Sequence, residues 1–192
     1  MKWSILILTI PQRQAMLERL LNVLQSQICN DVELLVRQSD PLLPVGENRE
    51  LLRQQSTGKY ISFVDDDDLV SPYFVERIFP LLDGVDYIGF NLEQRMDGEF
   101  ACIEQHSLEH GRVWQNWTGG RFRDISHLNP MRRELALQVP MSGWPGEDNR
   151  WADAIRELRI VKTEHYINQT LYYYLTRTHK PELEALESYG KS

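Results

Sequence analysis

The chain has 192 residues, 42% of them hydrophobic, with 21 Lys+Arg against 28 Asp+Glu and a formal charge of −7. This fits one globular domain with a sizeable core, and two cysteines, Cys29 and Cys102, exclude a disulfide framework. The negative balance disfavours nonspecific attraction to phosphate backbones and leaves room only for a local basic groove.

The first apolar run, Ile5 to Ile10, is too short to span a bilayer and precedes no small-residue cleavage pattern. It predicts a buried parallel strand broken by Pro11, in a chain expected to be cytoplasmic, with Cys29 a buried free thiol. Met16, Leu17, Leu20, Leu21, Val23 and Leu24 recur at helical spacing, and Val32 to Val36 gives a second strand. Strand, helix, strand is a βαβ unit with a right-handed crossover, whose loops after the strands face one crevice. A proline-pinned loop from Asp40 to Gly46 leads into a helix over Glu47 to Gln55. Arg49 and Arg53 lie one turn apart on it, as solvent-facing cations or with one of them reaching a ligand phosphate.

Ile61 to Val64 has the composition of an inner strand and runs directly into Asp65, Asp66, Asp67 and Asp68. Four adjacent carboxylates repel one another unless a cation or donors compensate them. At the carboxyl end of an inner strand such a cluster suits Mg²⁺ or Mn²⁺ carrying phosphates, the bland alternative being a solvated turn that caps the next helix.

Tyr73 to Leu82 reads as a helix and Val85 to Phe90 as a strand, and Asp97-Gly98 turns a hairpin within about residues 86–103. His106 to Arg123 has no clean period, so Trp114 and Trp117 are either platforms for a sugar or acceptor or core aromatics under a long loop. A short strand over Ile125 to Pro130 and a helix over Met131 to Leu137 follow. Gly143-Trp144-Pro145-Gly146 then delivers Glu147 and Asp148 to the start of a helix ending at Leu158, either as helix-dipole partners or as a second acidic cluster facing the first. Tyr166 to Thr176 is β-rich, a polar helix begins at Pro181, and His165 and His179 are candidate metal ligands. The whole, 1–192, reads as one domain, with a first half over 1–90, a second over 91–180 and a tail over 181–192.

With both acidic stretches placed, the chain resembles family 2 glycosyltransferases of the GT-A fold from Trp3 to about Lys180. The resemblance rests on Ser4 to Thr9 followed by Pro11 and Arg13, on Gly46 with Arg49, on Gly58 to Asp68, and on Gly146 to Trp151. It is closest to short catalytic-domain-only members of phage and bacterial type. It implies an α/β architecture, a Rossmann-like, mostly parallel central sheet flanked by helices with a small antiparallel extension. It also implies an inverting, metal-dependent transfer of a sugar from a nucleoside diphosphate sugar, with UDP as the expected nucleotide. Thr9, Pro11, Arg13, Asp40, Arg49, Asp65 and Asp66 would contact the nucleotide, Asp67 and His179 the Mn²⁺ or Mg²⁺, and Trp114, Trp117 and Trp151 the acceptor. Glu147-Asp148 matches the family's Glu-Asp motif, with Asp148 as the base. Asn48 and Glu50 beside Arg49, and Arg37-Gln38-Ser39-Asp40 after the second strand, depart from the family's usual residues. The acceptor is expected to be a glycan or a hydroxymethylated base in phage DNA, the latter because Arg112, Arg121, Arg123, Arg132 and Arg133 lie between the acidic motifs. A nucleotidyltransferase would release pyrophosphate instead, and a catalytically inactive module would bind the nucleotide sugar without transfer.

Overall fold

The computed structural model describes residues 1–111, 116, 117 and 120–177. The chain runs β1 (Trp3–Thr9), α1 (Gln14–Gln25), β2 (Val32–Gln38), α2 (Val45–Gln55), β3 (Tyr60–Phe63), β4 (Leu69–Val70), α3 (Phe74–Ile78), β5 (Tyr87–Met96) and β6 (Glu99–His106). It continues through β7 (Asn116–Trp117), β8 (Gly120–Arg123), β9 (Met131–Arg132), α4 (Arg133–Ala136), α5 (Glu147–Leu158) and β10 (Glu164–Thr176).

The sheet order is β2-β1-β3-β9-β5-β6-β8-β7, with β10 paired to β4 and β5. Strands β2, β1 and β3 are mutually parallel, as the continuous apolar runs require. The antiparallel extension begins at β9 and is dominated by the β5–β6 hairpin. Its turn residues Asp97 and Gly98 have φ of 50 and 90°, the conformation that a two-residue hairpin loop of matching twist demands.

Along β1 the side chains alternate between two cores. Trp3, Ile5 and Ile7 pack with α1 and α3, whereas Leu6 packs with Leu52 of α2 and with Trp151 and Ile155 of α5. The helices therefore cover both faces and leave the carboxyl ends of β1, β2 and β3 open as a crevice.

Several local expectations are corrected. Residues 125–130 are turns, not a strand, because their polar groups are spent on tertiary bonds: Ser126 N–H donates to the Tyr87 hydroxyl and Asn129 Nδ2 to the Ile88 carbonyl. Pro80 ends α3 early, in a 3-10 turn over Phe79–Leu81. Cys29 is exposed, not buried, in the turn before β2.

Candidate active site

The acidic turn after β3 closes with Asp68 N–H donating to the Asp65 carbonyl, and each carboxylate leaves it in its own direction. Asp66 is 2% exposed and accepts from Thr9 Oγ1 at 2.7 Å and Arg13 Nη1 at 2.8 Å. Asp67 lies 3.2 Å from Arg13 Nη2 and 3.7 Å from Arg177 Nη2. Asp65 accepts from Arg49 Nη2 at 2.8 Å. Asp68 points inward to β10, accepting from the Tyr172 hydroxyl and from the Leu175 N–H, each at 2.8 Å. The expectation of an uncompensated tetrad is thereby corrected: arginines from the 3-10 turn over Pro11–Arg13, from α2 and from the end of β10 supply the balancing charge.

The electrostatics separate these acids. Burial pushes Asp65 up, but the Arg49 guanidinium and then His127 outweigh it and hold the carboxyl far below its usual range. Burial, with Asp65 and Asp67 beside it, drives Asp68 well above that range. Asp65 is thus firmly ionised, while Asp68 behaves as a structural group tied to β10.

Across the crevice, α5 presents Glu147 and Asp148 in its first turn. The loop before it is braced against α2: Gly46 N–H donates to the Gly143 carbonyl, Glu47 accepts from Gly143 N–H and Glu50 from Met141 N–H. Gly46 is required here, since a Cβ would sit 2.4 Å from the Ser142 carbonyl carbon. Arg150 donates to the carbonyls of Ser142 and Trp144, which leaves the Trp144 side chain 65% exposed on a fixed loop.

Two side chains join the acidic motifs. Arg49 reaches Glu147 Oε1 through Nε at 3.1 Å while it holds Asp65. His127 lies between Asp65, 3.8 Å from Nε2, and Asp148, 3.7 Å from Nδ1. The Phe63 ring supports both, with the Arg49 guanidinium 5.0 Å from its centroid and the His127 ring 5.8 Å away. Arg123 Nη2 stands 3.6 Å from Asp148 Oδ2, and a cavity of about 120 Å³ opens beside it, lined by Phe122, Arg123, Asn149 and Asp153. Burial raises the Asp148 carboxyl, but His127, Arg123 and Arg49 more than offset it and hold it below the ordinary value.

No family model and no curated protein matches the chain. Among solved structures, S. aureus TarS aligns with a TM-score of 0.68 at 14% identity, covering 92% of this chain and 37% of that chain. TarS 1–349 in complex with UDP-GlcNAc aligns at 0.67 and 16% identity, covering 94% and 60%. Glucosyl-3-phosphoglycerate synthase from Mycobacterium tuberculosis, in complex with Mn²⁺, UDP-glucose and phosphoglyceric acid, aligns at 0.58 and 18% identity, covering 97% and 76%. The chain has the GT-A fold. It spans between 37 and 61% of the TarS chains it matches.

Within this GT-A fold, Thr9, Arg13, Arg49, Asp65, Asp66, Asp67, Glu147 and Asp148 converge on the crevice. Asp40, after β2, caps its own loop by accepting from Leu42 N–H, and Pro11 is exposed at the start of the 3-10 turn that follows β1. Glu147 is 5% exposed and serves as the Arg49 partner behind Asp148. Trp151 is a correction: it is 4% exposed and donates to the Ala136 carbonyl, so it is core and not acceptor surface. The signal was available, because Trp151, Ala152 and Ile155 recur at the helical spacing of a buried apolar stripe on α5. Arg53 is likewise buried, holding the Ala136 and Val139 carbonyls, and burial pulls its guanidinium down to about 10. His179, Trp114 and the Trp117 side chain lie outside the described residues. The predicted arginine patch divides: Arg132 opposes Tyr60 at the start of β3, the end remote from the acidic turn, while Arg123 faces Asp148. His127 and Tyr172 carried no sequence signal as site residues, since only the fold brings them to the carboxylates.

Proposed function

We propose that the chain is a glycosyltransferase that moves a sugar from a nucleoside diphosphate sugar, with UDP as nucleotide, to an acceptor hydroxyl with inversion. The observation that carries this reading is the placement of Asp148 and Asp65 against opposite nitrogens of one buried imidazole, in the crevice of a GT-A sheet. The UDP-GlcNAc complex of TarS and the UDP-glucose complex of the mycobacterial synthase support the donor class.

Asp148 accepts the acceptor hydroxyl's proton as that oxygen attacks the anomeric carbon, and the bond from that carbon to the diphosphate breaks in line. Its depressed carboxyl keeps it ionised and ready at neutral pH. Arg49, with Nη1 lacking a hydrogen-bond partner, has a donor to spare for a phosphate oxygen. Among the described residues no three His, Cys, Asp or Glu side chains are grouped to hold a metal. That fits a cation held by Asp67 and completed by diphosphate oxygens and water, as Mg²⁺ or Mn²⁺ in phosphate sites commonly is. A divalent ion there would neutralise the leaving diphosphate.

The acceptor we propose is a carbohydrate hydroxyl. Trp144, exposed on a braced loop four residues before Asp148, offers a sugar ring an apolar face, whereas the arginines that favoured a DNA base divide between two ends of the sheet. The test is mass spectrometry of products from UDP-sugars offered to glycans and to hydroxymethylated DNA. UDP release with a hexose mass on a glycan is the expected result; pyrophosphate release would identify nucleotidyl transfer, and hexose on DNA alone would replace the acceptor assignment. Binding without any transfer would identify an inactive module.

A further inference from the structure

His127 is 7% exposed, and both of its ring nitrogens are buried without a hydrogen-bond partner. A buried unsatisfied polar group costs about 1–3 kcal/mol, so its persistence in a well-packed loop calls for a use. The ring is not loosely held. The His127 carbonyl accepts from Phe63 N–H at 2.8 Å, Ser126 N–H donates to the Tyr87 hydroxyl at 3.2 Å, and Asn129 Nδ2 donates to the Ile88 carbonyl at 3.0 Å. Backbone on both sides of the imidazole is thus anchored to β3 and β5, and the cavity beneath the ring, about 10 Å³, leaves it little room.

From that fixed seat Nδ1 faces Asp148 Oδ2 at 3.7 Å and Nε2 faces Asp65 Oδ1 at 3.8 Å. Both separations exceed an ordinary hydrogen bond by roughly 0.8 Å. Arg123 also faces Oδ2 of Asp148, so that oxygen is doubly engaged while Oδ1 carries neither contact. We propose that His127 is a positioning residue that ties the donor-side carboxylate to the base, orienting Asp148 so that Oδ1 meets the acceptor hydroxyl. This rests on the glycosyltransferase reading for its kinetic consequence, but not for the contact itself. An Nδ1–H aimed at Oδ2 holds the carboxylate in rotation as well as place.

The experiment compares His127→Asn, whose amide nitrogen occupies the place of Nδ1, His127→Gln, whose amide nitrogen occupies that of Nε2, and His127→Phe, which keeps only the ring. His127→Phe should lower kcat at least about 10-fold with donor KM changed less than about 3-fold. His127→Asn should recover most of the loss and His127→Gln little. Placed on Asp148→Asn, His127→Phe should cost nothing further, since the two act as a unit. Equal damage from all three variants, or an undiminished loss in the Asp148→Asn background, would overturn the proposal. The imidazole ¹⁵N spectrum of the folded protein decides the contact independently of activity: Asp148→Asn should move the Nδ1 resonance and Asp65→Asn the Nε2 resonance. If the wild type transfers no sugar yet both resonances move, the glycosyltransferase reading falls and the bridge stands; if neither moves, the bridge falls whatever the activity.

Discussion

Asp148 has a carboxyl held below its usual value, and this sets the acid side of any pH profile. Because the folded value is depressed, the linked stabilisation is present above the unfolded value of about 3.9 and is lost as pH falls through the folded one. Transfer should therefore keep its rate down to about pH 4 as far as Asp148 is concerned, and an inflection from this group should appear only below that. Asp148→Asn removes the proposed proton acceptor without touching the acidic turn, so kcat should fall by about 10² or more while calorimetric UDP binding stays nearly constant. Asp67 makes the complementary case. It faces the Arg13 and Arg177 guanidinium groups at 3.2 and 3.7 Å, positive charge that a bound cation would exchange with. UDP should bind more tightly in Mn²⁺ than in EDTA, and Asp67→Ala should erase that difference; equal binding in both media by the wild type would remove the metal from the site.

Among the elements, β10 contributes more to the acidic turn than its distance in sequence promises. The wholly buried Tyr172 hydroxyl accepts from the part-buried Asp65 N–H at 3.0 Å and donates to the buried Asp68 Oδ2 at 2.8 Å. Tyr172→Phe leaves a buried donor and a buried acceptor unmet, for a loss of about 2–4 kcal/mol. Thermal melting should show it as a fall of roughly 5–15 °C, with weaker UDP binding because the turn loosens. Neither partner was visible in sequence. A run of four aspartates reads as uncompensated charge when the arginines and the tyrosine that answer it lie from 16 to more than 100 positions away. What was legible had a local cause: the apolar runs of β1 and β3, the helical spacing of α1, and the positive-φ pair Asp97-Gly98 at the hairpin. Residues 125–130 have no such period, and their conformation is set by Tyr87 and Ile88, so His127 could only be found in the fold.

For the whole molecule, the separation of Arg132 and Arg133 from Arg123 breaks what looked like one basic surface. Transfer to a glycan should consequently change little between about 50 and 200 mM salt, whereas a reaction that neutralised six or more DNA phosphates would lose affinity by about 10³-fold or more over that range. Initial rates at two salt concentrations separate the cases. The bond from Tyr172 to Asp68 also joins residues 104 apart, and Leu175 reaches the same carboxylate across 107. Closing a loop of that length costs about 4 kcal/mol of chain entropy, repaid only when β10 docks along β5. During synthesis the βαβ half emerges first and can fold early, but the acidic turn waits for β10 to leave the ribosome. The proposed nucleotide binding would therefore be acquired late, and a nascent chain short of Tyr172 carries an unfinished crevice.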